Sequence, residues 1–150
     1  MKSNIEKYKA ELEGLITKGD QLSLSMTHAL NPEEYKVAAK KAYGDKYSEA
    51  IAKLPDFRGT YQLWYSEAYA VIRQLIPERL SDFVRFYEKA KNRKEIDSSN
   101  YAIEDYLQGI TVTRGMTVVV SLSAALPKFE QQYAQTIAFQ LQRNIQPLVI

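Results

Sequence analysis

Ile5, Tyr8, Leu12, Leu15, Leu22, Met26 and Ala29 recur at steps of three and four residues, with Gly19 on the same line. This is the spacing of one helix face, close to the seam of a coiled coil. Lys and Glu crowd the other faces between residues 6 and 18. The pattern predicts one long first helix. Gly19 interrupts it, at a kink or where another part of the chain approaches closely. Asn31-Pro32-Glu33-Glu34 reads as a stop and restart, with Asn as N-cap, Pro at the first helical position and carboxylates at the positive end of the dipole. Two short helical pieces follow over 32–42 and 45–54. They are rich in Lys and Ala, are separated by Gly44, and are expected on the outside.

The middle carries the apolar weight. Tyr61, Trp64, Tyr65, Ala68, Ile72, Leu75 and Ile76 share a face of a helix predicted over about 56–76, and Pro77 opens the next, with Leu80, Phe83, Val84 and Tyr87 at helical spacing. Ile103, Tyr106 and Leu107 mark a short helix beginning near Ser99 or Asn100. Residues 110–120 break the pattern. Thr111, Val112, Thr113 and 117–120 are β-branched around Arg114-Gly115, which predicts a small hairpin or an extended loop. Pro127 then starts a last helix with Phe129, Tyr133, Ile137, Leu141 and Ile145 on one line and glutamines on its other faces. The fold expected is an all-α multi-helix bundle: one domain over 1–150, long first and last helices, and a hairpin or irregular insertion near 110–120. Pro147-Leu148-Val149-Ile150 ends the sequence on bare apolar residues, which suggests the N-terminal part of a longer protein.

Composition removes more than it adds. At 45% hydrophobic and 25% charged the chain has the balance of a soluble globular protein, and its net charge of +2 creates no whole-molecule field towards membrane or nucleic acid. With no cysteine, disulfides, thiolate metal sites and cysteine nucleophiles are excluded. One histidine, His28, leaves little room for a zinc centre or a two-histidine device. The glycines are too scattered for a phosphate loop. Pro55-Asp56 resembles the start of a restriction-nuclease signature, but the carboxylate-x-lysine that should follow is missing. Glu104-Asp105 reads as a solvated pair rather than a ligand pair. No cofactor or metal is called for, and no signal peptide or apolar span is visible, so a cytoplasmic, non-enzymatic protein is expected.

Two features suggest recognition. Tyr61, Trp64, Tyr65 and Tyr69 read either as a large aromatic core with hydroxyls reaching the surface or as a protein-recognition surface, and Ile137 and Leu141 of the last helix mark a candidate self-association or docking seam. In the basic stretch 79–94, Arg79, Arg85, Lys89, Lys91, Arg93 and Lys94 face only Asp82 and Glu88. With Tyr87, Tyr101 and Tyr106 nearby, this stretch offers an alternative, nucleic-acid-binding surface through Arg85, Lys89, Lys91, Arg93 and Lys94. Glu95, Asp97, Glu104 and Asp105 could equally neutralise it within the fold.

The blocks Tyr61-Gln62-Leu63-Trp64-Tyr65-Ser66-Glu67-Ala68, Ile76-Pro77-Glu78-Arg79-Leu80-Ser81-Asp82-Phe83-Val84, Lys91-Asn92-Arg93-Lys94-Glu95-Ile96, Ile103-Glu104-Asp105-Tyr106-Leu107 and Ala125-Leu126-Pro127-Lys128-Phe129-Glu130-Gln131-Gln132 resemble a family of uncharacterised bacterial proteins. Those proteins continue into a HEPN-like domain of the kind found in toxin–antitoxin and phage-defence systems. The resemblance implies a regulatory or interaction module in a defence setting. It carries over no catalytic residue. The RNA-cleaving HEPN signature sets a histidine a few residues after an arginine, whereas here His28 precedes the first arginine, Arg58.

Overall fold

The computed structural model describes the backbone of residues 4–145 and the side chains of 6–138. The tail 147–150 and the Leu141 side chain therefore lie outside the described residues. Helix α1 (Asn4–Leu30) runs unbroken through Gly19. A single residue, Asn31, joins it to α2 (Pro32–Tyr43). The Asn31 N–H still donates to Thr27, and its carbonyl already accepts from Tyr35, so it occupies the cap position without a side-chain cap bond. A 3-10 turn and the short α3 (Tyr47–Ala52) follow. Only Ala39 is buried in these two helices, which places them on the outside as their composition predicts.

Helix α4 (Phe57–Leu75) starts where Asp56 accepts the Gly59 N–H, and it forms the spine of the core. Its residues Phe57, Tyr61, Trp64, Ala68, Val71 and Ile72 are buried. They meet Leu12, Leu15, Leu22 and Met26 of α1, Phe83 of α5 (Leu80–Tyr87), Ile103 and Tyr106 of α6 (Ile103–Leu107), and Phe129 of α7 (Ala125–Ile145). Gly19 marks the tightest crossing. A Cβ there would stand 2.6 Å from the Tyr133 ring of α7 and 3.3 Å from Trp64 Nε1. Trp64 Nε1 donates to the Leu15 carbonyl at 2.9 Å, which ties α4 to α1 at that point. The close approach is therefore made by side chains, and the helix is not broken.

The segment 110–120 is a hairpin, so the molecule is predominantly rather than purely helical. Strand β1 (Val112–Arg114) pairs antiparallel with β2 (Thr117–Val120), with a bulge after Val112. Gly115 takes φ +63° in the two-residue turn, the first central position where such turns favour glycine.

Two boundaries differ from the sequence expectation. Helix α7 begins at Ala125, before Pro127, because a proline in the first turn gives up an N–H that has no helical partner there. Helix α6 begins at Ile103 rather than near Asn100. The Asp97 carboxylate accepts from Ser99 N–H, Ser99 Oγ and Asn100 N–H, and these local bonds hold the backbone out of a helix. Helix α6 ends in a Schellman motif, with Gly109 at φ +72° and the Ile110 N–H donating to the Asp105 carbonyl. Among the described residues no helix is long and apolar enough to cross a membrane.

Candidate functional site

The aromatic candidates on α4 divide between core and margin. Tyr61 and Trp64 are sealed inside, with rings of Phe57, Phe83 and Phe129 around them. They offer no surface to a partner, so for these two residues the core reading holds and the interface reading does not. Tyr65 and Tyr69 are half-buried against the same core, and Tyr65 stacks on Phe83 at 5.4 Å. Burial pushes the Tyr61 phenol well above its ordinary value, and burial followed by the field of Glu88 raises Tyr65 as well. The Tyr61 hydroxyl donates to Gln132 Oε1 at 2.6 Å, and Gln132 Nε2 donates to the Phe83 carbonyl at 2.8 Å. One fully buried glutamine thus links α4, α7 and α5. It lies off the apolar line of the last helix, among the glutamines of its other faces, and its polarity hides its role as an internal connector. Ile137 is half-buried on α7, and the Leu141 side chain lies outside the described residues.

The basic stretch also divides. Arg93 grips Asp105 with two parallel bonds, Nη1 to Oδ2 at 2.7 Å and Nη2 to Oδ1 at 2.9 Å, and Nη1 also reaches the Asn100 carbonyl. The Asp105 side chain is fully buried and that of Arg93 only 10% exposed. This overturns the reading of Glu104-Asp105 as a solvated pair and withdraws Arg93 from the candidate binding set. Burial alone would raise the Asp105 carboxyl. The Arg93 guanidinium and the Ala102 N–H, 2.8 Å away, outweigh it and hold the group below its usual value. Hydrogen bonding to Asp105 raises Arg93 in turn.

This ion pair anchors residues 88–102, a stretch without helix or strand at the ~12–15-residue length beyond which structureless loops are uncommon in compact folds. The Glu104 carboxylate holds the Lys89 N–H, Asn100 Nδ2 holds the Glu95 carbonyl, and Lys128 Nζ holds the Ser99 carbonyl at 2.8 Å. The segment is therefore a fixed wall.

Between this wall, α5 and the start of α7 lies an open cleft of about 580 Å³. Arg85, Lys89, Lys91 and Lys128 line it, with Glu88 the one carboxylate among the lining residues. Lys89 Nζ donates to Gln108 and Lys128 to a backbone carbonyl. Among the described residues no carboxylate pairs with Lys89, Lys91 or Lys128. Arg85 stands 3.7 Å from Asp82 in an exposed pair, a weak tie that an incoming anion can displace. Lys94 is exposed but does not line the cleft. Of the five cations marked in the sequence, three meet here.

Lys128 was missed because it lies far along the chain; its only signal is a cation in the first turn of a helix, where the dipole disfavours one. Phe86 was missed too. It belongs to α5 but falls about 110° from the centre of the Leu80–Phe83–Val84–Tyr87 stripe at 3.6 residues per turn, an apolar residue off its own apolar face.

Among the described residues no three His, Asp or Glu groups come together to hold a metal ion. His28 packs edge-on against Tyr35 at 5.3 Å and is not among the residues that line the cleft. No protein-family model, curated protein or solved structure matches the chain.

Proposed function

We propose that the protein is a non-enzymatic recognition module whose working face is the cleft between α5, residues 88–102 and α7, and that its ligand is the phosphate backbone of a nucleic acid. The observation that carries this reading is the convergence of Arg85, Lys89, Lys91 and Lys128 on one cavity containing a single carboxylate, Glu88. A solvated helix end would spread its cations or pair them. Here two lysines are aimed by bonds to neutral oxygens, and among the described residues no carboxylate pairs with either ammonium, although the fields of Lys128 and Lys89 reach Asp97 and Asp105. The wall behind them is held by a buried ion pair, so little ordering is needed when a ligand arrives. Nothing in the cleft depends on the bacterial defence setting that the resemblance implies.

Binding of a fluorescently labelled oligonucleotide, followed by anisotropy across a salt series, tests the reading. Each phosphate contact releases counterions, so log affinity should fall linearly with log salt. Reversing Arg85 and Lys91, both exposed and neither a tie of the wall, to Glu should abolish binding while circular dichroism and the melting temperature stay close to those of the parent. Unchanged affinity in that variant removes the cleft as the binding face.

A further inference from the structure

A second hollow of about 440 Å³ adjoins the cleft and shares Phe86 and Lys128 with it as common wall. Its character is different. Val119, Ala124 and Pro127 give it an apolar floor, and Ser98, Ser123 and Gln131 supply uncharged hydrogen-bonding groups. Among the described residues that line it, Lys128 alone is charged. One side of Phe86 therefore suits anions, and the other suits a flat, uncharged group with polar edges.

We infer that the two hollows form one groove for single-stranded nucleic acid, with phosphates among Arg85, Lys89, Lys91 and Lys128 and a base stacked on Phe86 beside Pro127 and Gln131. The inference rests on the phosphate reading of the cleft and names the form of nucleic acid it takes. Phe86 is half-buried, off the apolar stripe of its helix, and the Arg85 guanidinium lies over one face of its ring, 5.4 Å from the centroid. A ring at the junction of the two hollows with a cation over one of its faces brings together the groups that a nucleotide's base and phosphate require. A paired base inside a duplex has both faces covered and cannot offer one to Phe86 without leaving the stack. The tyrosines nearest in sequence do not compete for this part. Tyr101 and Tyr106 are buried, and Tyr87 lies against Tyr65 at 4.3 Å.

The test compares three probes of about 12 nucleotides, within the lengths such grooves cover: a single-stranded oligodeoxynucleotide, an abasic strand with the same phosphates, and a duplex. The intact protein should bind the base-bearing strand about tenfold more tightly than either other probe. Phe86→Leu, which keeps apolar volume, should lose that preference yet still hold the abasic strand, and Phe86→Trp should restore it. Equal affinity for the base-bearing and abasic strands overturns the stacking inference while leaving the phosphate reading intact, as does equal affinity for the duplex. Failure to bind any probe overturns both. The abasic comparison uses the unaltered protein, so it decides the matter even where a Phe86 variant folds poorly.

Discussion

The aromatic face of α4 and the basic stretch after it look alike in sequence, since each holds more of one residue class than packing or solvation demands. The fold treats them in opposite ways. Tyr61 and Trp64 are drawn in, and each polar tip finds an internal partner, Gln132 for the hydroxyl and the Leu15 carbonyl for the indole. In the basic stretch only Arg93 is drawn in, because Asp105 is there to receive it. Arg85, Lys89 and Lys91 stay at the cleft, and Lys128 joins them from α7. What separates core from working surface here is whether a partner exists for the polar end of the side chain. An aromatic hydroxyl needs one acceptor, which one glutamine supplies. An ammonium needs a carboxylate, and the cleft has almost none.

The sharpest way to break this comparison is to remove the partner that turned a cation into structure. Asp105→Ala leaves the Arg93 guanidinium buried and unpaired and should cost about 3–5 kcal/mol in denaturant-induced unfolding. It should also loosen residues 88–102, seen as lost amide-exchange protection. A loss below ~1 kcal/mol, the range of a surface pair, would mean that Arg93 is as free as its neighbours.

Next come the contacts that keep the aromatic face inside. Gln132→Leu strands the Tyr61 hydroxyl and removes a donor from the Phe83 carbonyl, for an expected loss of about 1–3 kcal/mol. Gly19→Ala gains up to ~1 kcal/mol of helix propensity but drives a methyl into the Tyr133 ring, and overpacking of about 1–3 kcal/mol should win. Both are read from urea midpoints. A stabilised Gly19→Ala would show that the α1–α7 crossing has slack.

The acid dependence of stability is a smaller effect, and its sign is fixed. The Asp105 carboxyl is held below its ordinary value, so its contribution is complete above the unfolded value of ~3.9 and fades as pH falls through the lower folded one. The parent protein should lose stability across that acid window. Asp105→Asn, already weakened, should lose less over the same range. Burial raises the Tyr101 phenol to about 12, so the matching loss on the alkaline side begins above the free phenol's pKa of ~10 and continues upward. Smallest of all, Lys91→Glu should leave stability within ~0.5 kcal/mol while weakening oligonucleotide binding, because its side chain is exposed.

Much of the fold was legible in the sequence because periodicity and turn chemistry agree. The α1 face, the restart at Pro32, the span of α4 and the hairpin around Gly115 each follow from residues a few positions apart. Legibility failed where distant residues decide. Gln132 is one glutamine among several on the last helix until Tyr61 is known to lie opposite. Asp105 reads as one of an exposed pair until Arg93 folds back onto it. The cleft shows the same limit, since Arg85, Lys89 and Lys91 were visible as a local run, whereas Lys128 joins them only through the packing of α7. Phe86 carried a signal in its position off the stripe, but a single misplaced apolar residue says little until a cavity is seen on either side of it.

The most direct test is to map where an oligonucleotide touches the protein, by following backbone amide shifts in nuclear magnetic resonance as a single-stranded probe is added. The account predicts that the largest changes fall on Ser81, Arg85, Phe86, Lys91, Asn100 and Lys128, with the amides of α1 around Gly19 unmoved. Changes confined to α1 and α4, or to the exposed hairpin tip at Met116, would contradict it.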